Sequence, residues 1–463
     1  MLYRSVTIHK IFGPASYYRT TLKIAAPVML QQLIMSLVSL IDNFMVAGLG
    51  DAKMGAVNVV NSINFIYYIA LFTLGNAGGI FLAQYYGAKN NAGMQQAYRF
   101  KVLAGIIISI AYGLLLLVIP EKLIALMTMN NAAQAAIIQY GSHYMRLMAV
   151  TLIPMAIASA IGSSYREIGK TTVPLVISII ATLINTIGNW ILIYGNLGAP
   201  RLEVTGAAYA TILARVIEMI AFLVYARWKR TAFFVPFANI FAIERTLILR
   251  ILKRSWMMLL TETSWSISET VITALYNTRG GAEVVAGMAA GWTMANVFFL
   301  IFSGIQTAAA VSIGTTLGAG ELDEARRRAV WIQSGAVVFG SFIGLMAILA
   351  TAIIPLVFAN LTPQAQRITA ELLVVVACYI PLWSLLSSQF AVSRAGGDAA
   401  LGLYVDFTVS LFLFIPAAWA LTMFTTVGPV LIFALSKLTD ICKVSIAHWY
   451  LKKERWVKNL TVH

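Results

Sequence analysis

Residues 22–48 read LKIAAPVMLQQLIMSLVSLIDNFMVAG, and the fold class follows from how that stretch is taken. It is longer than the 7–15 apolar residues of a signal peptide core, so it is expected to stay in the chain as a first membrane span. A helix needs about 20 mainly apolar residues to cross the hydrocarbon core. Stretches of that kind recur to the far end of the chain, and no room is left for a soluble domain. Breaks at Gly, Pro and charge clusters give about twelve, near 22–48, 57–86, 100–119, 140–161, 172–194, 204–227, 249–278, 284–317, 329–358, 368–392, 400–423 and 426–450.

Composition agrees. The 463 residues are 60% apolar and only 11% charged, whereas a soluble domain carries about 25% charged residues. The chain therefore reads as an all-α integral membrane protein with about 12 transmembrane helices in two pseudo-symmetric six-helix lobes. The longest polar interruption, 228–248, divides lobe 1–227 from lobe 249–463. Two cysteines in apolar stretches and four scattered histidines provide neither a disulfide framework nor a transition-metal site. With no paired catalytic motif either, the chain is not expected to be an enzyme, and no cofactor is implied.

The net charge of +15 is an orientation signal. With both termini in the cytoplasm, 25 of the 33 Lys and Arg fall on that side and five on the other, as the positive-inside rule requires. No nucleic-acid partner is needed to explain the basic excess. Gly169-Lys170-Thr171 resembles the end of a phosphate loop, but Ser164 stands where the pattern needs glycine. No ATPase subunit is implied.

The halves look like a repeat. Leu82–Lys89 after the second span is echoed by Ile313–Gly320 after the eighth, at an offset of 231. Arg215 with Glu218 in the sixth span is echoed by Lys437 with Asp440 in the twelfth, and each is expected to be an ion pair within one helix. Six spans per half would relate the repeats by an axis along the membrane normal, an arrangement common in transporters.

A charge within a span is costly and asks for a reason. Asp42 has no basic residue one turn away. Asn185 and Asn189 share one face of the fifth span, and Thr211 lies at a similar depth in the sixth. Together they offer a carboxylate, two amide oxygens and a hydroxyl. Such hard oxygens suit a desolvated Na+, or the carboxyl could take a proton; interhelical hydrogen bonding alone is the other reading. In the seventh span Glu262 and Glu269 lie two turns apart with Trp265 between them, a seat for an organic cation through charge and cation–π attraction. These acids are expected to be unpaired. A structural or proton-relaying carboxyl is the alternative, and Asp406, near an inner helix end, is expected to be hydrated.

These residues resemble the multidrug and toxic compound extrusion (MATE) transporters of the MOP flippase superfamily. The matching features are Pro27 with Asp42–Gly50, Ala83–Lys89, Arg166–Lys170, Val204–Thr211, Glu262 with Trp265, and Arg394–Asp398. The resemblance implies a monomeric antiporter of a prokaryotic inner membrane. It would exchange external Na+ or H+ for amphipathic, often cationic drugs through a cavity between two lobes. It also implies a cation site at Asp42, Asn185, Asn189 and Thr211, and a drug or ion role for Glu262. Where some relatives have an acid in the fifth-span pair, this chain has two asparagines. A lipid-linked flippase of the same superfamily is the rival, and the scarcity of unpaired basic residues within the spans weighs against it.

Overall fold

A computed structural model describes residues 11–129 and 131–462. Among them every regular element is helical. The long helices are α1 (Ala15–Ala47), α2 (Asp51–Gly87), α3 (Asn91–Val118), the bent α4 (Gln134–Ala149 and Leu152–Glu167), α5 (Thr172–Tyr194) and α6 (Glu203–Trp228). They are followed by α7 (Arg245–Asn277), α8 (Ala282–Gly318), α9 (Leu322–Leu349), α10 (Pro363–Ala395), α11 (Ala400–Phe424) and α12 (Pro429–Lys437 and Thr439–Lys452). Among the described residues, nine helices are long and apolar enough to cross a membrane, ten with α4. The other two of the expected twelve are α7, whose polar residues dilute its hydropathy, and the interrupted α12. Large apolar side chains such as Phe44, Val118, Leu356, Phe412 and Phe424 lie exposed, a surface suited to hydrocarbon rather than water. The protein is a multi-pass membrane protein.

Local chemistry explains where helices begin and bend. Asn90 caps α3 by accepting from the Gly93 amide at 2.8 Å, and Thr362 caps α10 ahead of Pro363. The expected single span at 140–161 is instead bent by 49°. Pro154 has no amide hydrogen to give the Val150 carbonyl, and its ring crowds that oxygen, so the helix breaks at 150–151. In α11, wide π-helical turns at Leu403–Phe407 and Ser410–Phe414 precede Pro416, which likewise cannot continue the regular ladder.

The chain divides into two compact units: Leu30–Tyr86 with Asn90–Leu252, and the segment ending at Met29 with Gly87–Lys89 and the chain from Lys253 onward. The core of the first includes Tyr67, Leu116, Ile124, Met145, Ile193 and Ala208. The second has one core around Ile313, Leu317, Val392 and Leu401 and another around Leu372, Val376, Ile380 and Phe433. The first three helices of each half have matching lengths. α1, α2 and α3 contain 33, 37 and 28 residues, and α7, α8 and α9 contain 33, 37 and 28.

Candidate functional site

The carboxylate of Asp42 sits in the first unit among the side chains that the sequence singled out. Asn189 Nδ2 donates to Asp42 Oδ1 at 2.9 Å. With the Asn185 amide oriented to satisfy its neighbours, its nitrogen donates to Asp42 Oδ2 at 3.0 Å, and its oxygen faces the Thr211 hydroxyl at 3.2 Å. Asn185 and Asn189 reach the carboxylate together because four residues make about one helical turn. Tyr194, at the end of α5, donates to the Met45 carbonyl at 2.9 Å and ties the C-terminal end of α1 to α5. Gly195 then ends α5 in the left-handed region, at φ 77°.

One atom of this cluster is left over. The carbonyl oxygen Oδ1 of Asn189 is buried and has no hydrogen-bond partner, and an unmet buried acceptor costs about 1–3 kcal/mol. It belongs to a set with one negative charge and otherwise neutral oxygens. A single positive charge there would neutralise the carboxylate. No group of three or more His, Cys, Asp or Glu able to hold a metal occurs among the described residues.

Beyond Thr211 along α6 in the same unit, Arg215 and Glu218 form the expected pair, at 2.7 Å. Its extension to other helices was not visible in the spacing. Ser178 of α5 donates to Glu218 Oε1 at 3.0 Å, and Gln31 of α1 donates to Ser178 at 2.9 Å.

In the second unit the structure corrects four expectations. Glu262 is not unpaired: Arg394 of α10 donates to it at 3.0 Å. Glu269 is not unpaired either, since Lys437 of α12 binds it. Lys437 therefore does not pair with Asp440. The helix is interrupted at Leu438 between the two, and Asp440 instead accepts from Trp383 Nε1 at 2.8 Å and faces Lys443 at 3.5 Å. Asp406, expected to be hydrated, is buried and holds Lys443 at 3.0 Å. The partners of Glu262, Glu269 and Asp406 lie on other helices, where spacing along one helix cannot reveal them, whereas Lys443 is one turn from Asp440 on α12 itself. Trp265 is about half exposed.

Two lysines assigned to the cytoplasmic charge count are buried within helices. Lys443 is one; the other is Lys101, fully enclosed and bound to Glu167 at 2.8 Å and Ser164 at 3.1 Å.

The MatE family model matches residues 27–191 and again 255–420. A probable multidrug resistance protein NorM of Synechococcus sp. is 26% identical over 408 residues, covering 86% of this chain and 84% of that one. The multidrug resistance protein MdtK of Yersinia pseudotuberculosis is 20% identical over 403 residues, 87% of each chain. The crystal structure of the Vibrio cholerae MATE transporter VcmN has the same fold, with a TM-score of 0.84 over 96% of this chain and 99% of that one, at 18% identity.

Proposed function

The chain belongs to the MatE family, a family of membrane transporters and not of enzymes, and we propose that it exports amphipathic, cationic organic compounds in exchange for external Na+ or H+ by alternating access. The observation that carries this reading is the single carboxylate Asp42, gripped by two asparagine amides beside an unmet Asn189 carbonyl. A cation entering from outside meets Asp42 with Asn185, Asn189 and Thr211 and cancels the only charge of that cluster. To drive a cycle it must bind one conformer more tightly than the other; the side-chain oxygens of α1, α5 and α6 supply that difference if the cycle moves these helices apart. The relatives' names extend to this chain as the expectation that its cargo is chemically varied. No cofactor is needed. The expected setting is a prokaryotic inner membrane, the working form is a monomer without an ATPase subunit, and both termini are cytoplasmic.

For the cargo we assign Glu262, Glu269 and Trp265 of α7. Arg394 and Lys437 already neutralise the two acids, so a cationic compound must compete with these internal cations, with the half-exposed indole offering its face. Efflux of a cationic dye from proteoliposomes, driven by a Na+ gradient alone and then by a pH gradient alone, tests the scheme. Asp42→Asn is expected to lower gradient-driven efflux at least tenfold, and a wild-type rate under both gradients overturns the cation role. Glu262→Gln is expected to weaken efflux of cationic dyes more than that of neutral ones. Equal loss of both contradicts the seat.

A further inference from the structure

The three helices that surround Asp42 carry a second polar cluster further inward. Glu218 is seven residues past Thr211 on α6, Ser178 seven before Asn185 on α5, and Gln31 eleven before Asp42 on α1. Seven and eleven residues are close to two and three helical turns, so each lies on the same face as its counterpart near Asp42. The rise of an α-helix separates the clusters by roughly 10 Å along α5 and α6 and roughly 16 Å along α1. Both contain a carboxylate, a hydroxyl and an amide, drawn from the same three helices. Between them that face of α5 carries Ala181 and Thr182, and that of α6 carries Ala214 and Arg215, the two alanines being buried.

A pair that merely neutralised two charges for membrane insertion would be complete with Arg215 and Glu218 alone. Here the second carboxylate oxygen is engaged from α5, and that hydroxyl is engaged from α1. Gln31, Ser178 and Glu218 are all buried, whereas the Arg215 side chain keeps about a third of its surface exposed. The carboxylate is thus the fixed part of the cluster, and the guanidinium is the part able to leave. Arg166 of α4 is within electrostatic reach of Glu218, and Tyr68 of α2 of Arg215. Glu167, beside Arg166, is occupied by Lys101.

We propose that Glu218 is a second station for the coupling cation, inward of Asp42, and that Arg215 stands in for the cation while the station is idle. A cation released from Asp42 toward the cytoplasm binds Glu218 as Arg215 swings aside, and the returning guanidinium expels it. The buried carboxylate is neutralised at every stage. The proposal rests on the cation role of Asp42 given above, and the variants separate the two.

The decisive variant is the uncharged double, Arg215→Gln with Glu218→Gln, in the full-length protein in proteoliposomes. Gradient-driven dye efflux is expected to fall at least tenfold while Na+ binding to the purified protein, lost in Asp42→Asn, persists. A folded double variant with the wild-type rate overturns the station, because a purely structural pair can be replaced by two neutral amides. That result leaves the role of Asp42 standing; failure of Asp42→Asn to alter efflux removes the Asp42 reading instead. If the double variant does not fold, Ser178→Ala keeps the ion pair and removes only its link to α1. Its efflux is expected to fall severalfold, and an unchanged rate overturns the proposal. Equilibrium binding to Arg215→Gln identifies the cation. One additional Na+, or one additional proton taken up in Na+-free medium, is expected, each abolished by adding Glu218→Gln; neither appearing overturns the station.

Discussion

At the scale of single residues, the acids divide by whether their partners are near in sequence. Asp42 was legible because no base lies one turn away and because Asn185, Asn189 and Thr211 could be brought to its depth by counting helical rise. Glu262 and Glu269 misled because the same count cannot see Arg394 or Lys437, more than 130 residues further along the chain. Lys101 was hidden for a related reason: a lysine near an inner helix end reads as cytoplasmic, and only packing reveals that it is enclosed. Removing one member of a buried ion pair strands the other charge, at a cost of about 3–5 kcal/mol, whereas replacing both by apolar groups is often neutral. Lys101→Met is therefore expected to lower the unfolding temperature markedly, and Lys101→Met with Glu167→Leu to recover most of it. Thermal unfolding in detergent measures this, and equal losses for the single and the double would show that the pair is not the cause.

Among elements, what matters at the Asp42 cluster is how closely α5 and α6 approach. A Cβ added at Gly206 would lie 2.5 Å from the carbonyl oxygen of Leu192, and one at Gly188 would lie 3.0 Å from the Ala210 side chain. The first is a backbone contact and cannot give way by a rotamer change. Forcing atoms into such a contact costs about 1–3 kcal/mol, and here the strain parts the two helices that hold Asn189 and Thr211. Gly206→Ala is expected to weaken Na+ binding as well as lower thermal stability. Gly428, its counterpart by sequence repeat, has no atom within 4 Å of such a Cβ, and Gly428→Ala is expected to leave both unchanged. Equal effects on Na+ affinity at the two positions would separate the cluster from this packing. The offset that sets Lys437 against Arg215 also sets Gly428 against Gly206, so the pair is readable in sequence. That only one of them is packed was not, because it depends on the partner helix rather than on the residue.

For the whole molecule, the two halves share a framework and have diverged in chemistry. The framework appears in the lengths of their first three helices and in a family model that matches each half. The divergence appears in the charges. The first half holds a carboxylate served by neutral amides, whereas the second holds Glu262, Glu269 and Asp406 each against a cation of its own. A cation gradient can act on the first arrangement directly, but in the second an incoming cation must displace a side chain. The direction of the proposed exchange then depends on which ends of the helices face out, and the basic residues outside the spans predict that the α7–α8 turn is external and the α8–α9 turn cytoplasmic. A membrane-impermeant maleimide tests this in a background with Cys378 and Cys442 replaced. Gly281→Cys is expected to label in intact cells and Glu321→Cys only after the membrane is opened, both positions being exposed. The opposite pattern would turn the Asp42 cluster toward the cytoplasm, and external Na+ or H+ could no longer drive export through it.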